Sequence, residues 1–174
     1  MKIVQNGEHP ALRQEAQKVP RELFGTEKLK EILKELFELL ANEEDGVAIA
    51  APQVGIGYQI FVVSPAILKN KSEKHRVYIN PKITKRSQEK KYMDEGCLSV
   101  RWLYGQVLRH TRVTITAYDE NGVKFERGAT GILAHIFQHE TDHLLGTLFI
   151  DKAINLQRLS DEDIEIMKQK NEKN

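Results

Sequence analysis

The hydrophobic pattern predicts an α+β fold in a single domain over residues 1–174, with antiparallel or mixed strands packed around a central helix. Three observations carry that expectation. An amphipathic helical pattern lies near the N-terminus, short alternating segments fill the middle, and one largely apolar helical stretch follows them near residue 140. Strands gathered ahead of a helix, instead of alternating with helices, disfavour a parallel sheet. With 174 residues, 40% of them hydrophobic, the chain can bury one sizeable core, and no internal repeat or linker marks a second domain.

Between Glu27 and Ala41, Leu29, Ile32, Leu33, Leu36, Phe37 and Leu40 recur at helical spacing with charges between them, so a core-facing helix is expected. Residues 42–46 break it, and a small-residue run to Ala51 leads through a turn into a strand at 59–63. The polar stretch 68–76 has no apolar period and reads as a solvated loop. Further strands are expected near 77–80, 82–85 and 90–95, and a hairpin joins 113–118 to 123–126 through Asp119-Glu120-Asn121-Gly122. The central helix starts after Thr130, which can cap it, and ends at Gly146. A last helix at about 160–170 has Ser160 as its cap, and the charged tail from 168 frays.

Composition narrows the partners. A net charge of +1 leaves no nucleic-acid footprint, and no stretch reaches the ~20 apolar residues of a membrane span. No apolar run separates a basic start from a small-residue cleavage site, so a soluble cytoplasmic protein is expected. One cysteine permits no internal disulfide.

The central helix carries Gln138-His139-Glu140-Thr141-Asp142-His143. Residues four apart share a helix face, so both imidazoles can grip one divalent ion while Glu140 stands near enough to act on a water in an open position. A third ligand is missing. In one class of protease a histidine follows downstream, but Phe149 occupies that place, and Glu162 or Asp163, the alternative for a zinc endopeptidase, looks like an ordinary helix start. Cys97, in Glu95-Gly96-Cys97-Leu98-Ser99, is either a small buried apolar residue or a thiolate completing a three-ligand site.

Those two segments, with Gly46-Val47-Ala48-Ile49-Ala50-Ala51-Pro52-Gln53-Val54-Gly55, closely resemble the three signature motifs of peptide deformylases in order and spacing. The resemblance runs from Pro10-Ala11-Leu12-Arg13 to Gly146-Thr147-Leu148-Phe149-Ile150-Asp151 and fades in the C-terminal segment. It implies removal of formate from formyl-methionine on nascent chains of bacterial or organellar translation, and without a transit-like N-terminus a bacterial cytoplasm is expected. It implies one divalent ion on Cys97, His139 and His143, with ferrous iron first and zinc, nickel or cobalt able to substitute. Glu140 would be the base, and Gln53 with the Leu98 amide would stabilise the oxyanion. Gly46, Val47, Ala48, Ile132, His135 and Ile136 would bind the substrate, Glu95 and Arg109 would brace the cysteine loop, and ribosome docking of the last helix, around 164–168, is open. A member that binds metal without turnover is the alternative from a different functional class.

The chain departs from the family at several positions. Ala48 replaces a second glycine and Ile49 a leucine, while Tyr104 stands where other versions carry arginine, so that Trp102 and Tyr104 offer an aromatic rim. His135, one turn before His139, takes a usually aliphatic place in the methionine pocket. It reads as a polar pocket wall that shifts side-chain preference, as a core histidine bonded to a carbonyl, or as an alternative ligand to a displaced ion. Asp142 has either a plain structural reading or one in which it fixes the tautomer of a ligating histidine.

Overall fold

Side-chain alternation along the first strands decides how the molecule is layered. In the computed structural model, which describes residues 1–68 and 76–165, an α+β arrangement forms from two antiparallel sheets and two principal helices. Helix α1, Glu27–Ala41, is capped by Thr26 Oγ1, which accepts from the Leu29 amide at 3.3 Å. Strands β1 (Ala48–Ala50), β2 (Ile60–Val63), β3 (Val77–Arg86), β6 (Arg112–Tyr118) and β7 (Lys124–Thr130) form one sheet in the order β1-β2-β3-β6-β7. Strands β4 (Lys90–Glu95), β5 (Leu103–His110) and β8 (Ile154–Arg158) form the other, with β5 central.

Successive strand residues point to opposite faces, and the larger sheet uses both. Ile49, Ile60, Val62, Val77 and Ile79 pack with Leu29, Ile32, Leu33, Leu36 and Leu40 of α1. Ala48, Ala50, Phe61, Val63 and Tyr78 face the other way, against helix α2, Gly131–Leu144. There Phe137 meets Tyr78 at 4.9 Å and Phe61 at 6.1 Å between ring centroids, and an aromatic cluster of this kind adds to the area term of burial. A third apolar cluster ties Val107 of β5 to Val4, Leu12, Leu148 and Phe149. The central helix therefore rests on one sheet by its apolar face while the smaller sheet closes over its polar one.

Several boundaries differ from the sequence expectation. The expected break at Pro81 does not divide β3; Asn80 before it takes a left-handed φ of 49°, and its side-chain amide bonds the Val19 backbone through both its O and N atoms, at 2.8 and 2.9 Å. The ladder with β6 absorbs the irregularity as a register shift between Ile79 and Lys82. Thr130 stands at the N-cap of α2, extended at φ −134° and ψ 165° as the last residue of β7, but its hydroxyl makes no capping bond. Gly146 does follow the helix end at φ 70°, where the chain passes so close to Arg13 that an added Cβ would lie 2.7 Å from its carbonyl carbon.

β5 and β8 went unpredicted. The inward positions of β5 include Gly105 and Arg109, which spoil any apolar alternation, and β8 is exposed along its whole length. Near the C-terminus residues 161–165 begin a helix, with Ser160 Oγ accepting from the Asp163 amide at 3.1 Å and Ile164 buried. The rest of the expected helix, with most of the segment considered for ribosome docking and the charged tail, lies outside the described residues, as does 69–75 of the expected loop. Among the described residues no helix is long and apolar enough to cross a membrane.

Candidate metal centre

Three segments from different parts of the chain meet beside α2. The turn after β4 carries Cys97, a short helical turn after β1, Ala51–Val54, carries Gln53, and α2 carries His135, His139, Glu140 and His143. One donor atom each from Cys97, His139 and His143 lies within 4.8 Å of the others, and Cys97 Sγ is 3.2 Å from His143 Nε2. Sulfur and nitrogen donors around one tetrahedral ion, at ~2.3 and ~2.1 Å, stand roughly 3.6 Å apart, so this trio has the span of a ligand set. Glu162 and Asp163 are not in the group, and Asp163 is engaged by Ser160.

The ring of His139 is aimed by Glu95. Its Nδ1 lies 2.9 Å from Glu95 Oε2, which leaves Nε2 to face the cysteine side. Glu95 in turn pairs with Arg109, Nε to Oε1 at 2.6 Å and Nη2 to Oε2 at 3.0 Å. Asp142 does not take the role considered for it of fixing a histidine tautomer. It accepts from Arg109 Nη1 and Lys152 Nζ, both at 2.7 Å, and so orients the arginine that orients Glu95.

This buried network sets the local charge. Burial pushes the Glu95 carboxyl up, but bonds from His135, His139 and Arg109 hold it far below the usual carboxylate range. Burial likewise raises the Cys97 thiol, and the adjacent His143 and His139 outweigh it, bringing it down to about 5. Burial disfavours the charged form of His139, yet Cys97 and Glu95 raise it well above its ordinary value. Burial raises the Glu140 carboxyl, whose Oε2 has no hydrogen-bond partner among the described residues, like Nδ1 of His143. A ready thiolate, two imidazoles and an uncommitted carboxylate beside them fit a divalent metal ion.

Breaking the brace should be costly. We expect Glu95→Gln to lose about 3–5 kcal/mol at pH 7, read as a lower urea midpoint, because buried Arg109 loses the more buried of its two carboxylate partners and keeps only Asp142. Because the folded-state pKa of Glu95 is depressed, its contribution is complete above the unfolded value of about 4.3 and fades as pH falls below it. Wild type and variant should therefore converge only in acid.

Gln53 is held so that its donor faces the centre. Its Oε1 accepts from the Ala50 amide at 2.8 Å, turning Nε2 toward Ser99 Oγ at 3.3 Å and Cys97 Sγ at 3.6 Å. Beside these groups opens a cavity of about 280 Å³, lined by Gly46, Val47 and Ala48 on one side and by Ile132, His135 and Ile136 on the other. Leu98, Trp102 and Tyr104 also line it, whereas Ile49 points away into the α1 core. Gly96 is required for this packing, since an added Cβ would lie 2.6 Å from the Tyr104 ring. His135 does not bond a carbonyl: its Nε2 lies 2.7 Å from Glu95 Oε1.

Two parts of the site gave no sequence signal. Gln5 staples the N-terminal segment to the cysteine loop, its Nε2 donating to the Leu98 carbonyl at 3.0 Å and its Oε1 accepting from the Arg101 amide at 3.3 Å. Arg101, in the cavity lining, pairs with Asp45, at 2.8 and 3.1 Å, and with Glu43. Both depend on contacts between residues far apart in the chain, which no local pattern encodes.

The chain is similar to known proteins over most of its length. The polypeptide deformylase family model matches residues 1–159. A peptide deformylase of Treponema pallidum is 42% identical over 133 residues, covering 76% of this chain and 77% of that protein. The chloroplastic peptide deformylase 1A of tomato is 37% identical over 163 residues, of which the aligned part spans 58% of its length. Among solved structures, a Met-Ala-Ser-bound class I type b peptide deformylase from Acinetobacter baumannii superposes with a TM-score of 0.78 at 31% identity, covering 87% of this chain and 97% of that one.

Proposed function

The chain belongs to the polypeptide deformylase family, and we propose on that footing that it hydrolyses the N-formyl group of formyl-methionine at the start of new polypeptides, releasing formate. The observation that carries this reading is the convergence of Cys97, His139 and His143 with Glu140 and Gln53 at one cavity. The family is metal-dependent, and we take ferrous iron as the native ion, with zinc, nickel or cobalt able to use the same donors. Thiolate and imidazole alone do not select among them. A cation held there supplies Lewis acidity and lowers the pKa of water from about 15.7 toward 7.

The residues of the chain do the rest. Glu140 takes a proton from the attacking water and delivers it to the departing amine as the formyl C–N bond breaks, while the water oxygen stays with formate. Burial suits the carboxylate to both roles by raising its pKa toward the working pH. Negative charge on the former carbonyl oxygen is met by Gln53 Nε2, which is turned toward Cys97 and Ser99, and by the amide of Leu98, the residue after Cys97. β1 lies at an edge of its sheet, so a peptide can pair along residues 46–48 as an added strand, with its first side chain between Ile132, His135 and Ile136. Formylated chains arise in bacterial and organellar translation; we assign the protein to a bacterial cytoplasm.

Gln53→Ala tests the oxyanion assignment. Deformylation of formyl-Met-Ala-Ser should fall by ~10²–10³ in kcat, the usual cost of one such donor, with the metal content unchanged. A loss confined to KM would move Gln53 from charge stabilisation to simple binding.

A further inference from the structure

Glu95 accepts four bonds, and their arrangement gives His135 a task beyond lining the cavity. Each carboxylate oxygen takes one donor from Arg109 and one histidine: Oε1 faces His135 Nε2 at 2.7 Å and Oε2 faces His139 Nδ1 at 2.9 Å. The two histidines stand one turn apart on α2, so the end of β4 is pinned to the helix at successive turns. The Glu95 side chain is only 1% exposed, and Glu95 and His135 both line the cavity.

We infer that His135 is a positioning residue of the metal centre: by holding Glu95 Oε1 it keeps Oε2 on His139, and through that ring it steadies the ligand set. The inference rests on the metal site proposed above. Arg109 alone leaves Oε1 with a single donor facing the cavity, where water can compete for it. The carboxylate is then held by Arg109 and His139 with one bond fewer, and any shift it makes carries the His139 ring with it. Partners one step removed from a metal typically change its affinity by roughly 10–100-fold.

Cobalt(II)-loaded protein tests this without turnover, by the rate at which cobalt passes to an excess of chelator and by the thiolate-to-cobalt absorption band. His135→Ile keeps bulk and removes the donor, and His135→Met serves if that variant does not fold. His135→Gln restores a neutral donor near the Nε2 position. The donorless variant should release cobalt roughly 10–100-fold faster with a shifted band, and the glutamine variant should stay within about threefold of wild type. Release at the wild-type rate from the donorless variant, or equally fast release from the glutamine variant, would overturn the assignment. Formate release by the wild type fails or succeeds independently of this result, so the two readings are separable.

Discussion

Cys97→Ala is expected to abolish stable metal binding while leaving the chain folded. Among the described residues three donor atoms converge at the centre, and removing the sulfur leaves two imidazoles on one helix face. Losing a direct ligand should cost more than the roughly 100-fold upper range seen for outer partners. Cys97→Ser should behave alike, because a hydroxyl does not supply the anion that a thiol lowered to about 5 supplies at neutral pH. The fold should survive, since the change removes one small side chain at the edge of the apolar cluster around Val100 and Val107. Metal analysis after gel filtration, with the thermal transition recorded beside it, separates the outcomes. A variant that still holds one equivalent of metal would point to Glu162 or Asp163, and with them to an endopeptidase.

Glu140→Gln should do the reverse, keeping the metal and losing the chemistry. Glu140 is outside the ligand group, and its Oε2 makes no hydrogen bond among the described residues that the amide would forfeit. Replacing a buried carboxylate by a neutral isostere removes a desolvation cost, so stability should hold or rise. Without a group to accept and return the proton, kcat should fall by ~10²–10⁴. Steady-state formate release from metal-matched samples is the measurement. An unchanged kcat with a raised KM would show that Glu140 binds substrate and moves no proton.

Helix α1 and the His139–His143 pair were legible in the sequence because both depend on spacing within one element, which local periodicity records. Joining Cys97 and Gln53 to that pair took the resemblance of three motifs, since each sits on a turn whose place is set by a separate strand. β5 shows no apolar alternation because Arg109 and Gly105 fill inward positions, the first for the site and the second for packing against residues 153–156. Arg109 pairs with Glu95, and Gly105 gives room to the Ala153 side chain. His135 was visible as an oddity on the ligand face. Its partner was not, because the contact forms only once the end of β4 is laid against α2. The Asp142 contact to Arg109 was hidden for the same reason, and a position next to a ligand in sequence did not make it that ligand's support.

The central claim is that Cys97, His139 and His143 hold a metal ion for hydrolysis of a formyl group. The most direct test is formate release from formyl-Met-Ala-Ser by protein loaded with ferrous iron without oxygen, with the metal counted in the same sample. One ion per chain, with equimolar formate and free-amine Met-Ala-Ser, is the expected result. A fully loaded protein that releases no formate would contradict it and leave a metal-binding relative without turnover.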